Sequence, residues 1–183
     1  MVLNSLSNQL QSIVVKTPCE EKIRDRFVKR LKEGDFTKDE NSNSHFCAYF
    51  AAYDPKKRKV FIGHHKKSGL WLFNGGHIDK GESLNKSIGR EMKEEWGSNF
   101  IFSKLPKPSL LSITEINEEK VSCKTHYDLW YFIPLDSETF VPNGDDMEKE
   151  FFEAGWKTMM ESRKLVKQTN TLLALKVVEK LFY

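Results

Sequence analysis

The sequence predicts an α/β fold in which helices cover a mixed β-sheet. Segments with the apolar, β-branched and aromatic content of strands interleave with segments of helical periodicity, without the regular alternation of a doubly wound parallel sheet. The chain has 183 residues, of which 39% are hydrophobic and 30% charged, and this is enough for one core of ordinary size. We therefore expect an N-terminal extension at residues 1–44 and a single main domain at residues 45–183.

An amphipathic helix and a polar loop make up the predicted extension. Apolar residues recur at helical spacing between Cys19 and Gly34, and the glycine ends the helix. These apolar residues are Ile23, Phe27, Val28 and Leu31. Residues 35–44 are polar and rich in turn formers, which is typical of an exposed loop before a sheet.

The main domain is predicted to begin with three strands. Residues 45–54 and 60–65 have strand composition and are separated by the basic turn of residues 56–59. We interpret this turn as a solvated hairpin tip rather than a nuclear-localisation signal. A third, short strand at residues 70–73 runs into the turn residues 74–76, which are Asn-Gly-Gly.

The clearest helical pattern covers residues 84–96. Four apolar residues spaced four apart form one face of this helix, which is expected to lie against the core. They are Leu84, Ile88, Met92 and Trp96. Ser83 is a suitable N-cap and Gly97 a suitable C-terminal stop.

The remainder of the chain predicts two further strands, an extended piece and two helices. The strands are residues 109–116 and 126–135, the extended piece is residues 151–156, and the helices are residues 157–166 and 170–182. The run at 126–135 is almost continuously apolar, which indicates a buried strand.

Composition excludes several classes of protein. A formal charge of +3 is too small to suggest non-specific nucleic-acid binding, and the longest apolar stretch, residues 46–53, is far below the roughly 20 residues that span a bilayer. The N-terminus lacks the basic segment and apolar block of a signal peptide. The three cysteines include no CxxC pair, so we interpret them as reduced thiols. We expect a cytoplasmic protein with no membrane segment and no nucleic-acid partner.

Three acidic residues within the helix at 84–96 suggest a metal site. Glu91, Glu94 and Glu95 are related by i, i+3 and i+4, so their carboxylates project from one side of a helix. Like charges this close raise one another's pKa unless a cation relieves the repulsion, and carboxylate oxygens suit Mg²⁺. Taken alone, however, clustered glutamates on a helix are usually solvated surface residues.

The wider segment, residues 75–97, resembles the signature box of the Nudix hydrolase family. That box requires Gly, five residues, Glu, seven residues, Arg-Glu, a hydrophobic residue, any residue, Glu-Glu, any residue and Gly. Every position is filled here, by Gly76, Glu82, Arg90, Glu91, Met92, Glu94, Glu95 and Gly97. The seven Gly, Glu and Arg matches would arise by chance on the order of once in a million chains of this length.

The resemblance implies a Nudix-type α/β/α sandwich with a mixed central β-sheet and a strand-loop-helix catalytic module. It implies that Glu91, Glu94 and Glu95 bind Mg²⁺, with Mn²⁺ as substitute, and that Gly76 offers its carbonyl oxygen. The catalytic group that it implies is Arg90, Glu91 and Glu94. Glu82 and Gly97 are box residues with a structural role, Glu82 acting with Arg90 to hold the loop against the helix.

Three positions depart from the family's usual pattern. Ser98 replaces an aliphatic residue, Asn74 replaces the proline common before the two glycines, and Asp79 is a shorter acid than usual. None of these changes removes an implied metal ligand.

The function that the resemblance implies is Mg²⁺-dependent hydrolysis of a diphosphate bond in a nucleoside di- or triphosphate or a nucleoside diphosphate derivative, with Glu91 or Glu94 as the base. The alternative is a non-catalytic nucleotide-binding sensor or scaffold, although such domains typically lose acids from the box. The diphosphate isomerase branch has Cys-Gly-His where this chain has residues 75–77, Gly-Gly-His, and messenger-RNA decapping would need a more extended basic surface.

Substrate contacts are open at this stage. Lys66 and Lys67 are candidates for the outer phosphates, Trp71 for base stacking and His77 for a polar contact, although solvated lysines and core aromatics are more frequent. Further stacking candidates are Phe73, Tyr127 and Trp130, and His126 is a further polar candidate. Further acidic candidates are Glu115, Glu118, Glu119 and Glu150. The sequence determines neither the leaving group nor the oligomeric state.

Overall fold

A computed structural model of the chain describes residues 2–97, 105–116 and 123–183. The helices in these ranges are α1 (Val2–Ser12), α2 (Pro18–Lys32), α3 (Leu84–Trp96), α4 (Gly144–Glu150), α5 (Met159–Leu165) and α6 (Thr169–Leu181). The strands are β1 (Ser44–Asp54), β2 (Lys59–His65), β3 (Trp71–Leu72), β4 (Asn74–His77), β5 (Leu110–Glu115), β6 (Thr125–Pro134) and β7 (Phe151–Thr158). The predicted helices and strands are therefore present, with ends shifted by a few residues.

The described strands form one mixed sheet of seven strands with β1 at its centre. β1 runs parallel to β6 along its whole length and antiparallel to β2 and β4. β5 is antiparallel to β6, and β3 and β7 are antiparallel to β2. The mixed sheet that the sequence predicted is confirmed.

Helices cover both faces of the sheet. Alternate residues of a strand point to opposite faces, and Phe46, Ala48 and Phe50 of β1 join one buried cluster while Ala51 joins another. The first cluster includes apolar residues of α1, α2 and α3, and the second includes residues of α6. The architecture is thus the expected α/β/α sandwich.

The hydrogen bonds at the start of α2 explain why this helix begins where it does. Thr17 Oγ1 accepts from the Glu20 amide at 3.2 Å, and the Glu20 carboxylate accepts from the Thr17 amide at 3.0 Å, which is a capping box. Pro18 follows at the first helical position, where its missing N–H costs nothing. At the other end, the positive φ of Gly34 turns the chain into the loop before β1.

Two helices and one strand had not been predicted. α1 carries many Ser, Asn and Gln residues of modest helix propensity, and it forms because Leu6 and Leu10 are buried in the first core cluster. α4 has only seven residues, too few for a periodic pattern. The segment 74–77, predicted as a glycine turn, is strand β4 paired with β1.

None of the described helices combines the length and apolar character needed to cross a bilayer.

Candidate active site

Helix α3 has one face buried in the core, and both of its ends are capped. Its predicted apolar face, Leu84, Ile88, Met92 and Trp96, is fully buried. Ser83 Oγ accepts from the Lys86 amide at 3.4 Å, and Gly97 ends the helix at a φ of 64°. Anchored in this way, α3 holds its glutamates against β4.

The two glycines of β4 allow the close approach of α3. Gly75 has a φ of 127°, and a Cβ there would lie 2.7 Å from the Cα of Tyr49 on the neighbouring strand. A Cβ on Gly76 would lie 2.6 Å from Oε1 of Glu91. The space that a side chain would take at position 76 is therefore occupied by the Glu91 carboxylate.

Arg90 is the centre of an ionic network that joins α3 to the loop before it. Its guanidinium donates to Glu82 at 3.1 Å, to Glu91 at 2.8 Å and to Glu94 at 3.1 Å. The Asp79 carboxylate lies 3.2 Å from Nε. Four carboxylates thus surround one cation. Burial disfavours the charged guanidinium, but the bonds to Glu82 and Glu91 outweigh it and raise the pKa of Arg90.

The same guanidinium also holds the end of β4. Its Nη2 donates to the carbonyl oxygen of His77 at 2.9 Å, and Ser87 Oγ donates to that oxygen at 3.2 Å. Glu82 in turn accepts from the amide of Asp79 at 3.3 Å. Residues 77–82 are therefore fastened to α3 by Arg90, Ser87 and Glu82.

Two of the glutamates have enclosed side chains: Glu95 and, to a lesser degree, Glu91, whose side chain is 12% exposed. The Glu95 side chain is almost enclosed, with the residue 6% exposed, and it accepts from the Gly75 amide at 3.1 Å. Burial, together with the charge of Glu91, raises the pKa of Glu95 well above its ordinary value. Burial likewise raises the pKa of Glu91 to about 7, although Arg90 opposes the shift. Glu94 differs, because its side chain is 55% exposed.

These groups fit a hard divalent cation. Neighbouring carboxylates add to the effect of burial on both groups: Glu91 raises the pKa of Glu95, and Glu94 and Asp79 raise that of Glu91, which is the condition that a bound cation relieves. Carboxylate oxygens and the Gly76 carbonyl are the donor type that Mg²⁺ and Mn²⁺ prefer.

The two candidate phosphate-binding lysines lie in the turn between β2 and β3. Lys67 is 80% exposed and lies 3.5 Å from the Glu150 carboxylate. The Lys66 ammonium group donates to the carbonyl oxygen of Glu148. These contacts join the turn to the end of α4, and the charge of Glu150 contributes to the raised pKa of Glu95.

The aromatic candidates are placed differently. Trp71 stacks on His64 with ring centroids 5.4 Å apart and packs against the cluster beneath α6. Phe73 and Trp130 are buried, and Tyr127 packs against Phe27 in the core. These contacts agree with the interpretation that strand aromatics are core residues.

The other acidic candidates lie in different parts of the molecule. Glu115 pairs at the surface with Arg26 at 3.5 Å, whereas Glu150 lies near Glu95. Glu118 and Glu119 lie outside the described residues, as does the unusual box position Ser98.

The ring of His77 lies in a cluster that the sequence analysis did not anticipate. Its centroid is 4.8 Å from that of His45 and 5.1 Å from that of His126. Burial, together with the neighbouring rings, lowers the pKa of His77 to about 3 and that of His126 to about 4, so both are neutral. Cys123 Sγ lies 3.4 Å from Nε2 of His45. The sequence could have indicated this cluster only if the register of the strands had been known.

Comparison with known families decides the classification. The model of the NUDIX domain matches residues 43–176. The chain belongs to the NUDIX family. The match contains the acids of α3, β4 and the whole sheet, and it excludes α1 and α2. No curated protein matches the chain in sequence.

Solved structures share the NUDIX fold with this chain. They include the dihydroneopterin triphosphate pyrophosphohydrolase of E. coli, at 16% identity and a TM-score of 0.55, covering 72% of this chain and 92% of that one. The MutT protein of Methanosarcina mazei Go1 has 14% identity and a TM-score of 0.55, covering 75% and 94%. A NUDIX-family hydrolase of Clostridium perfringens has 22% identity and a TM-score of 0.54, covering 76% and 99%.

Family membership establishes the general chemistry. This NUDIX protein is a hydrolase that acts on pyrophosphate bonds, and NUDIX hydrolases generally use divalent metal ions. At these identities the structural neighbours establish the fold alone, and they carry no substrate over to this chain.

Proposed function

We propose that the chain is a Mg²⁺-dependent pyrophosphohydrolase that cleaves a diphosphate bond in a nucleoside di- or triphosphate or a nucleoside diphosphate derivative. The observation that carries the proposal is the grouping of three glutamates beside β4: Glu91 lies against Gly76, Glu95 accepts from the Gly75 amide, and Arg90 bonds both Glu91 and Glu94. A sensor or scaffold would not need every acid of this set.

We propose that Glu91, Glu94, Glu95 and the carbonyl of Gly76 hold the metal ion. When bound, Mg²⁺ supplies charge neutralisation at the diphosphate and lowers the pKa of a coordinated water. Arg90 positions Glu91 and Glu94 by its two hydrogen bonds of 2.8 and 3.1 Å from Nη1. Mn²⁺ prefers the same oxygen ligands and is expected to substitute.

The general base is proposed to be Glu91 or Glu94. Both bond to the same nitrogen of Arg90, but the Glu91 side chain is 12% exposed and that of Glu94 is 55% exposed. Exposure favours Glu94 as the group that takes the proton from water, and enclosure favours Glu91 as a fixed ligand. The two Gln variants distinguish the roles, because a base affects kcat with little change in metal affinity.

Contacts to the substrate are proposed on the β2–β3 turn. Lys67 is exposed and pairs with Glu150, whose charge contributes to the raised pKa of Glu95, and Lys66 lies beside it. Both ammonium groups are suitably placed to attract the outer phosphates of a polyanion. Trp71 stays a proposed stacking residue, whereas the contacts of the His77 ring favour a different role.

The test is a substrate panel with Mg²⁺, comparing the wild type with Glu94→Gln. The panel contains nucleoside triphosphates, oxidised nucleotides, dinucleotides and nucleotide sugars, and phosphate-containing products are measured. We expect turnover of one class, and a fall in kcat of about 10²- to 10⁴-fold in the variant because it removes a base or ligand.

A matched control is Glu179→Gln on α6. Glu179 is also a partly exposed helical glutamate paired with an arginine, Arg163, but it is on the opposite face of the sheet. Its substitution should leave kcat unchanged. Equal turnover by Glu94→Gln would exclude the acids of α3 as the catalytic centre, and tight nucleotide binding without turnover by the wild type would favour a sensor.

A further inference from the structure

A second group of potential metal ligands lies at one end of the sheet, outside the carboxylate network. His45 is at the start of β1, His77 ends β4, His126 is at the start of β6, and Cys123 lies two residues before β6. The register brings them together, because His45 pairs with His126 and Cys47 with His77. One ligand atom of each of the four lies within 4.8 Å of all the others.

The separations between the ligand atoms suit a tetrahedral metal ion. Nε2 of His77 is 3.4 Å from Nε2 of His126, and Sγ of Cys123 is 3.4 Å from Nε2 of His45. With zinc bonds of about 2.0–2.1 Å to nitrogen and about 2.3 Å to sulfur, the edges of a tetrahedron are roughly 3.3–3.7 Å. The two measured edges lie in this interval.

The orientation of His45 is fixed by a hydrogen bond outside the group. Its Nδ1 is 3.0 Å from the carbonyl oxygen of Asn41, which accepts the Nδ1 proton and leaves the Nε2 lone pair directed at Cys123. Metal-binding histidines are commonly oriented in this way by a backbone carbonyl. His45 is fully buried and Cys123 is 4% exposed, so the group is enclosed on that side.

We propose that His45, His77, His126 and Cys123 form a zinc site that is distinct from the Mg²⁺ site on α3. Imidazole and thiolate ligands select zinc over magnesium, which prefers oxygen. Binding would displace the thiol proton of Cys123 to solvent. The four ligands complete a tetrahedral shell, which is the arrangement of a structural site rather than of a catalytic one.

The role of the zinc site is to fix β4 beside α3. His77 offers its ring to the metal while its carbonyl oxygen accepts from Arg90 at 2.9 Å and from Ser87 at 3.2 Å. Gly76 precedes His77 directly, so a metal that joins β4 to β1 and β6 also holds the glycine strand. Zinc therefore positions β4, the strand beside the acids of α3, without itself contacting the substrate.

A competing set shares one residue with the proposed site. Cys47, His126 and Asp128 also place ligand atoms within 4.8 Å of one another. This set has only three ligands, and within the Asp128 carboxylate Oδ2 already accepts hydrogen bonds from Ser112, Thr114 and Asn170, which leaves Oδ1 for a metal. The set of four is therefore favoured, and the two sets differ in which cysteine they use.

The test is titration of chelator-treated full-length protein with Co²⁺ and then Zn²⁺. With Mg²⁺ in excess to occupy the carboxylate site on α3, we expect one cobalt ion per chain, with tetrahedral d–d absorption and a thiolate-to-cobalt charge-transfer band that zinc abolishes. Cys123→Ser should remove the charge-transfer band and weaken zinc binding at least about 100-fold, since even outer-shell changes cost 10- to 100-fold. The control Cys19→Ser alters an exposed thiol on α2 and should change nothing.

Further variants keep the result interpretable. If Cys123→Ser does not fold by circular dichroism, His45→Gln must show the weakened zinc binding instead. The double variant Glu91→Gln with Glu94→Gln should bind zinc normally, which separates this site from the hydrolytic one. The proposal is overturned by absence of cobalt binding, by an octahedral spectrum, by unchanged zinc affinity in these ligand variants, or by loss of the thiolate band in Cys47→Ser.

Discussion

At the scale of single residues, Gly76 determines how close Glu91 comes to the sheet. A Cβ atom at this position would lie only 2.6 Å from Oε1 of Glu91, which is too close for two non-bonded atoms. The Glu91 carboxylate is at the end of a flexible side chain and is able to move, so the fold does not depend on this contact. The position of the carboxylate, in contrast, does depend on the glycine at position 76.

Substitution of Gly76 by Ala is predicted to reduce activity much more than stability. The methyl group displaces the Glu91 carboxylate from Arg90 and from β4. We expect kcat to fall at least about 10-fold, while the free energy of unfolding changes by about 1 kcal/mol or less. Steady-state kinetics and urea unfolding measure the two effects.

Gly155→Ala is the matched control for this prediction. Gly155 also lies on a strand, β7, and a Cβ there meets no atom of the described residues within 4 Å. It should retain wild-type kcat. Equal losses of activity in both variants would show that the contact with Glu91 is unimportant.

At the scale of elements, α3 is defined by its two ends and its buried stripe. Ser83 caps the start, and Gly97 ends the helix in the left-handed conformation with its amide bonded to Lys93 O at 3.0 Å. Gly97 also lies close to the neighbouring helix α4, because a Cβ there would be 2.5 Å from Cβ of Asn143, the N-cap of α4. The end of α3 is thus packed against the start of α4.

Gly97→Ala should destabilise the protein more than Gly81→Ala does. Both glycines have positive φ, 64° and 82°, so an alanine costs roughly 1–2 kcal/mol at either position from backbone strain alone. At Gly81 no atom in the described part of the chain lies within 4 Å of the added atom, whereas at Gly97 Asn143 must move. Equilibrium urea unfolding compares the two. Equal losses of stability would mean that the α3–α4 contact relaxes freely.

At the scale of the whole molecule, the N-terminal helix belongs to the same core as the NUDIX box. Leu6 and Leu10 of α1 are buried in the cluster that contains Ile88 and Met92 of α3. The family match nevertheless begins at residue 43. The division at residue 44 therefore stays a prediction about domain boundaries, whereas the packing of α1 is a feature of the fold.

Leu6→Ala is predicted to cost about 2–5 kcal/mol of unfolding free energy. Leu6 is fully buried, so the substitution removes apolar contacts and leaves a cavity. Val14→Ala serves as the control, because Val14 is 75% exposed and should cost less than about 0.5 kcal/mol. A small loss at Leu6 would indicate that α1 is an independent appendage. Chemical denaturation monitored by tryptophan fluorescence gives both values.

Most of the fold was predictable because it depends on local patterns. The stripe Leu84, Ile88, Met92 and Trp96 predicted α3, and the β-branched and aromatic runs predicted β1, β2, β5 and β6. Elements without a local pattern were missed. Helix α1 is stabilised by burial of Leu6 and Leu10 rather than by propensity, and β4 is a strand because Asn74 to His77 pair with β1.

The candidate site divides in the same way. The spacing of Glu91, Glu94 and Glu95, with Arg90 beside them, is a property of one helix, so the sequence by itself determined that these groups share a side and belong to a NUDIX box. The tertiary structure alone decided that Glu91 fills the space at Gly76 and that His45, His77, Cys123 and His126 meet. Helical periodicity is written in neighbouring residues, whereas contacts between strands depend on register, which no short segment of sequence specifies.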